Sequence, residues 1–182
     1  APYMYEQFVE GDIYYDNKWH IEDVPLRYNI YDDKIEYNLP EKDLVYAIDP
    51  QYRINHVVLK EDTFVVNQYK EKGWFKLGFF RQIVEGPVDL LVKMNVQYVE
   101  PKPARPMFDP EPARFSRRDD DIYVQAKGRD LFEVKRIKKL IQYLGDHKKE
   151  LNEFSKENNI SARNPDELKQ FIQFYNALQS GS

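Results

Sequence analysis

The chain has 182 residues, 42% apolar and 32% charged, a globular composition that excludes a disordered polymer. It has no Cys, which excludes disulfide frameworks and thiolate metal sites, and no apolar run near the ~20 residues of a membrane-spanning helix. A formal charge of −4 gives no whole-molecule field for a polyanion, and seven Gly are too few for the phosphate-cradling loops of nucleotide enzymes.

Charge is unevenly spread. Residues 1–100 hold eleven Lys and Arg against eighteen Asp and Glu, whereas residues 101–182 hold sixteen against thirteen. An acidic front and a basic back therefore meet at a proline-rich middle. Ala1-Pro2, with no initiator Met and no visible signal peptide, reads as a trimmed start, and Ser180-Gly181-Ser182 as an appended tail.

The first hundred residues predict an antiparallel β region. Leu26, Tyr28 and Ile30 alternate with polar neighbours, Asp32-Asp33 gives a turn, and Ile35, Tyr37 and Leu39 resume the alternation. Pro40 and Asp49-Pro50 bracket Leu44–Ile48. Ile54–Leu59 and Thr63–Tyr69 flank a short turn at Lys60-Glu61-Asp62, and Trp74–Val84 and Val88–Val99 flank the clearest one, Glu85-Gly86-Pro87. Without helical stripes between them, the strands need only short connections, so the sheet is expected to be an antiparallel meander, closed as a sandwich or an open barrel.

Residues 101–116 repeat the phrase Pro-x-Pro-Ala-Arg. Pro101, Pro103, Pro106, Pro110 and Pro112 exclude helix and central strand, so the stretch is predicted to be an extended strap. Met107, Phe108 and Phe115 are expected to pin it across the sheet. Arg105 and Arg114 are assigned salt bridges to the acidic front, with a docking peptide for a partner's groove as the sharper reading.

Residues 117–182 predict a hairpin and two or three helices, packed on the β region as one α+β unit. Asp121–Ala126 and Leu131–Val134 flank Lys127-Gly128-Arg129, although Asp130-x-x-Glu133 also resembles the opening of a helix. Ile137, Leu140, Ile141 and Leu144 form one helical face closed by Gly145. Asp146 is placed to cap a second helix carrying Leu151 and Phe154. Asn164, Pro165 and Glu167 open a third, with the stripe Leu168, Phe171, Ile172, Tyr175 and Leu178.

The phrase Asp23-Val-Pro-Leu-Arg-Tyr-Asn-Ile-Tyr-Asp-Asp-Lys-Ile-Glu-Tyr37, the strap ending Pro-Ala-Arg-Phe115, and Leu-Lys-Gln-Phe-Ile-Gln-Phe-Tyr-Asn176 together resemble a group of uncharacterised exported proteins of gram-negative bacteria. The resemblance implies a β-rich protein of the periplasm or outer-membrane surface, with room for a lipid anchor outside this chain. It implies no activity.

Candidate chemistry is sparse. His20, His56 and His147 lie in separate segments without zinc spacing, so no metal or cofactor is expected. Asp119-Asp120-Asp121 lacks the spaced ligands of a calcium loop and reads as a solvated strand entry paired with Arg117-Arg118. Asp32-Asp33 reads as a turn, and no Ser sits in a nucleophile elbow. Lys135-Arg136-x-Lys138-Lys139 is a cationic cluster, but the acidic front disfavours nucleic acid. Aromatics remain: Trp19, Tyr28, Tyr31, Tyr37, Tyr46, Tyr52 and Trp74 are too many for one face to bury. Trp19, Tyr28, Tyr31 and Tyr37, with Arg105 and Arg114, are the candidate binding residues. The expected function is non-catalytic binding of another envelope protein through exposed aromatics and sheet edges. A carbohydrate-binding module or glycan-directed hydrolase is the alternative, and a purely structural scaffold the second.

Overall fold

Tyr28 and its neighbours set the pattern of the β region: side chains alternate between a dry face and a wet one, and hydrogen-bonded turns reverse the chain. The computed structural model describes residues 1–181; Ser182 of the predicted tail lies outside them. It is mostly antiparallel β with three helices, an α+β chain. The strands are β1 (Val9–Tyr15), β2 (His20–Asn29), β3 (Lys34–Leu39), β4 (Leu44–Ile48), β5 (Ile54–Leu59), β6 (Asp62–Glu71), β7 (Trp74–Val84), β8 (Val88–Val99), β9 (Arg114–Ala126) and β10 (Phe132–Glu133). The helices are α1 (Ile137–Leu144), α2 (Lys148–Glu157) and α3 (Pro165–Ser180). The ladder order is β10-β9-β8-β7-β6-β5-β1-β2-β3-β4.

The chain forms two compact units that interleave in sequence. The first comprises Ala1–Asn67, Leu77–Phe79 and Met94–Asp120. Its core gathers Ile13, Leu26, Tyr28, Ile35, Val57, Leu59, Phe64, Phe79 and Met94. Gly11 is required here, because a Cβ would lie 2.3 Å from the Val58 carbonyl oxygen and 2.8 Å from Leu26. The N-terminal segment is tied to the end of β2 by Met4 N–H to the Tyr28 carbonyl (3.0 Å) and Ile30 N–H to the Pro2 carbonyl (2.8 Å). Arg27 locks that tie: it donates to Glu36 Oε2 from Nε (3.1 Å) and Nη2 (2.6 Å), and its guanidinium lies 3.6 Å from the Tyr3 ring centre and 4.4 Å from that of Phe8. A planar cation with forked donors suits both tasks at once.

The second unit comprises Gln68–Lys76, Phe80–Lys93 and the chain from Asp121 onward. Val88, Leu90 and Val92 of β8 and Ile122 and Val124 of β9 share one core with Leu140, Ile141, Leu144, Leu151, Leu168, Phe171, Ile172 and Tyr175 of the helices. The predicted hairpin forms, with Phe132 opposite Val124 and Glu133 opposite Tyr123, so Asp130-x-x-Glu133 opens no helix. Gly145, at φ 86°, donates to the Ile141 carbonyl and ends α1. Asn164 accepts from the amides of Asp166 and Glu167 and starts α3. Glu167, expected to help open the helix, reaches further back: its Oε2 accepts from Ser161 N–H at 2.8 Å. Asp146 caps nothing: His147, at φ 51°, is the residue before α2, and the Asp146 carboxylate accepts from the Tyr175 hydroxyl (2.7 Å) and Gln179 Nε2 (2.6 Å).

The predicted strap is corrected. Residues 102–111 fold back on themselves as a narrow finger. Lys102 and Glu111 exchange amide bonds at 2.9 and 3.0 Å, and Arg105 and Phe108 exchange them at 3.1 and 2.9 Å. The prolines fall between the pairing positions, so their missing N–H groups cost the ladder nothing. Phe115 is anchored as expected, 5.1 Å from Tyr31 and 5.5 Å from Tyr98 by ring centres. Met107 and Phe108 are not anchored: they are 100% and 74% exposed.

Candidate functional site

The two ends of the sheet are managed differently. β10 is two residues long, a blunted edge. At the other end β4 reads Leu-Val-Tyr-Ala-Ile. It carries no charge, no Pro and no bulge, and pairs with β3 from Leu39–Leu44 through Ile35–Ile48. Among the described residues no strand lies on its outer side. Leu44, Val45, Tyr46 and Ala47 are all exposed, so both faces of the strand meet water. Soluble proteins normally protect such an edge with Lys, Pro, a bulge or a covering segment.

β4 is continuous with the core of its unit. Ile35 of β3 is fully buried and stands opposite Ile48, which packs against that core. Tyr37 stands opposite Tyr46 and stacks on it, 5.1 Å between centres at an interplanar angle of 15°. Tyr37 is half-buried; its ring supports Tyr46. The surrounding charge is negative: residues 1–67 carry fourteen Asp and Glu against six Lys and Arg.

Trp19 sits elsewhere in the same unit. The turn between β1 and β2 places Lys18 at φ 64°, with Tyr15 N–H donating to the Trp19 carbonyl (2.8 Å) and the Asn17 side chain accepting from Trp19 N–H (3.0 Å). Trp19 and Tyr15 lie 5.2 Å apart by ring centres and line a pocket of about 590 Å³ with Asp16, Asn17, Gln51 and Arg53. Trp19 is 58% exposed. Burial, then the neighbouring Tyr37, pushes the Tyr15 hydroxyl above its ordinary pKa, so it stays protonated. Asp16 is the one carboxylate lining this pocket, so no acid pair for glycoside hydrolysis is assembled there.

Tyr28 is a correction. Its ring is 0% exposed, lies against Phe64 (4.9 Å) and Phe79 (6.2 Å), and its hydroxyl donates to Asp33 Oδ1 at 2.7 Å. A ring on the core face of β2 with a satisfied hydroxyl is packing, and no partner reaches it. Tyr31 is half-exposed at the base of the finger. Arg105 lies in the finger's turn, and Arg114 approaches Glu111 at 4.0 Å, within the finger rather than on the acidic front.

Sequence separation concealed one cluster. Tyr14 of β1 stands opposite both His20 of β2 and His56 of β5, with ring centres 5.8 and 4.4 Å away. Three neighbouring strands thus display His, Tyr and His in one row. Among the described residues no group of three or more His, Asp or Glu is placed to hold a metal ion. Nor is any helix there long and apolar enough to cross a membrane.

In the second unit a pocket of about 840 Å³ lies between the Glu85–Asp89 and Gln125–Gly128 turns beside Tyr175 and Gln179. Burial, opposed by the Gly86 N–H it accepts and reinforced by Glu85, raises the Asp89 carboxyl above its ordinary value. Asn176 forms one side of the same region. Its Oδ1 accepts from Val88 N–H (3.0 Å) and its Nδ2 donates to the Val88 carbonyl (2.9 Å), so the side chain acts as a strand neighbour. No protein family, curated protein or solved structure matches this chain.

Proposed function

We propose that this chain is a non-catalytic protein-binding domain of the gram-negative cell envelope, and that β4 accepts an extended strand from another protein. The envelope assignment rests on the sequence resemblance. The binding assignment rests on one observation: a five-residue, uncharged, two-face-exposed edge strand continuous with a packed core. Strand addition draws affinity from backbone bonds and specificity from alternate side chains. The partner strand would set apolar side chains beside Leu44, Tyr46 and Ile48, and its flanks would be basic to match the acidic front.

A second copy fits this edge poorly. The antiparallel self-register that pairs all five apolar residues sets Tyr46 against Tyr46, and it also brings Asp43 against Asp49 twice. Like charges directly opposite destabilise a ladder. The test is a titration of isotope-labelled protein with a peptide of alternating Val and Thr bearing Lys at both ends. Saturable shifts confined to β3 and β4, absent with a Glu-ended peptide and lost in Val45→Lys, support the reading. Shifts scattered over the chain, or equal for the two peptides, contradict it.

A further inference from the structure

The finger is built to hold an apolar tip away from the rest of its unit. Its arm from Pro101 to Met107 spans about 20 Å at roughly 3.3 Å per residue. A bare two-stranded ribbon is marginal in water, but three prolines within this one and two flanking it stiffen it, and Lys102 Nζ pairs with Glu111 (3.2 Å) across it. The turn Arg105-Pro106-Met107-Phe108 has Pro at its second position and Met107 at φ 69°, the form that ordinarily takes Gly or Asn third. An unbranched apolar residue is thus kept in a left-handed conformation, fully exposed, beside an exposed Phe. Strain combined with exposure marks an outlier whose side chain has a use.

The same unit holds a receptor of matching chemistry. The pocket beside Trp19 offers two aromatic walls, a carboxylate (Asp16) and a guanidinium (Arg53). The finger tip offers two apolar side chains, a guanidinium (Arg105) and a carboxylate (Asp109), in the run Arg105-Pro-Met-Phe-Asp109. Both sides present an apolar centre flanked by one charge of each sign. A bilayer is a poorer match, because Asp109 stands beside the tip and two side chains are too little apolar matter for stable anchorage.

We propose that the finger of one copy seats Met107 and Phe108 against Trp19 and Tyr15 of another, with Arg105 facing Asp16 and Asp109 facing Arg53. This is a head-to-tail contact. Plug and socket are different surfaces, so a single contact leaves one of each free, and assembly continues until the rotation between copies closes a ring or, where it does not close, as an open chain. It uses neither face of β4 and stands or falls separately from the strand-addition reading.

Sedimentation velocity over a concentration series tests it. The sedimentation coefficient of the full chain is expected to rise with concentration. Phe108→Ser and Trp19→Ala, both at exposed positions and checked for folding by circular dichroism, should each weaken association at least ~10-fold. Mixed one to one, the two variants retain a single competent plug–socket pair, so they should form dimers and stop there. Arg105→Asp should weaken assembly, and Asp16→Arg in the same chain should restore it. A chain that stays monomeric to about millimolar concentration overturns the proposal. So does a dimer indifferent to both single substitutions, which would instead indicate self-pairing at β4. A Trp19 fluorescence change produced by a soluble oligosaccharide, without concentration-dependent assembly, would assign the pocket to a glycan and also overturn it.

Discussion

Asn176 gives the sharpest quantitative prediction. Its amide satisfies both polar groups of the Val88 backbone from the far side of an 88-residue loop, at 3.0 and 2.9 Å, and so fastens α3 to the turn between β7 and β8. Asn176→Ala leaves a partly buried donor and a partly buried acceptor without partners. Each orphaned group costs about 1–2 kcal/mol, toward the lower part of the usual range because some water reaches the site. The total is about 2–4 kcal/mol, or a fall in melting temperature of about 4–16 °C for a chain of this size. Gly86 makes the argument testable as a cycle. A Cβ at Gly86 would lie 2.7 Å from Asn176 Nδ2, so Gly86→Ala must displace that amide. Alone it should destabilise by about 1–2 kcal/mol through the displaced bonds. In the Asn176→Ala background the clash is gone, and the added Ala should be neutral or stabilise by about 0.4–1 kcal/mol by restricting the unfolded chain. Urea denaturation of the four proteins reads the coupling directly. Strictly additive effects, or Asn176→Ala within about 0.5 kcal/mol of the parent protein, would refute the reasoning.

Three other substitutions probe separate links. Burial alone would raise the Asp146 carboxyl, but hydrogen bonds from Tyr175 and Gln179, with the His147 charge, hold it below the ordinary aspartate value. Its contribution is therefore present above about pH 4 and lost as pH falls through the folded-state value. Tyr175→Phe should make stability less steeply dependent on pH as pH falls from about 5 toward the folded-state value, measured by denaturant titration at each pH. Arg27→Ala removes the forked bond to Glu36 and the stacking on Tyr3 and Phe8. It should speed amide exchange at Met4 and Ile30 and open residues 1–8 to proteolysis. Met107→Gly relieves the left-handed conformation at the fingertip, worth about 1–2 kcal/mol, against an entropic cost of about 0.5–1 kcal/mol for the glycine, and should slow exchange of the Arg105 and Phe108 amides by a factor of a few even as it removes half of the apolar tip.

Local chemistry was legible in the sequence where it decides structure locally. Gly145 after an apolar stripe and Asn164-Pro165 before one gave the limits of α1 and α3, because capping groups act within a turn of the residues they satisfy. The turn Glu85-Gly86-Pro87 marks the end of β7 and the start of β8 for the same reason. The finger departs from the expected strap because prolines forbid pairing only at their own positions, not along the whole stretch. Their spacing leaves Lys102, Arg105, Phe108 and Glu111 free to bond, and only a pair-by-pair register reveals this. β9 begins at Arg114, ahead of the expected Asp121, because the charged run Arg117-Arg118-Asp119-Asp120 has no apolar alternation to mark it as strand rather than strand entry. The strand survives there because Arg117 pairs with Asp120 (2.8 Å) and donates to the Asn95 carbonyl (2.9 Å). Tyr28 and Tyr37 have the same residue type and strand context, yet one is sealed under Phe64 and Phe79 and the other braces an open edge. Which Tyr is which depends on strand order, and no local pattern carries that. The row of His20, Tyr14 and His56 was invisible for the same reason.

Hydrogen exchange of the complex tests the central claim most directly, that β4 is an edge held open for another chain. With the Lys-ended strand peptide bound, alternate amides of β4 and alternate amides of the peptide should slow together, as backbone pairing requires. A peptide that binds while its own amides and those of Leu44–Ile48 exchange at their free rates would contradict the account.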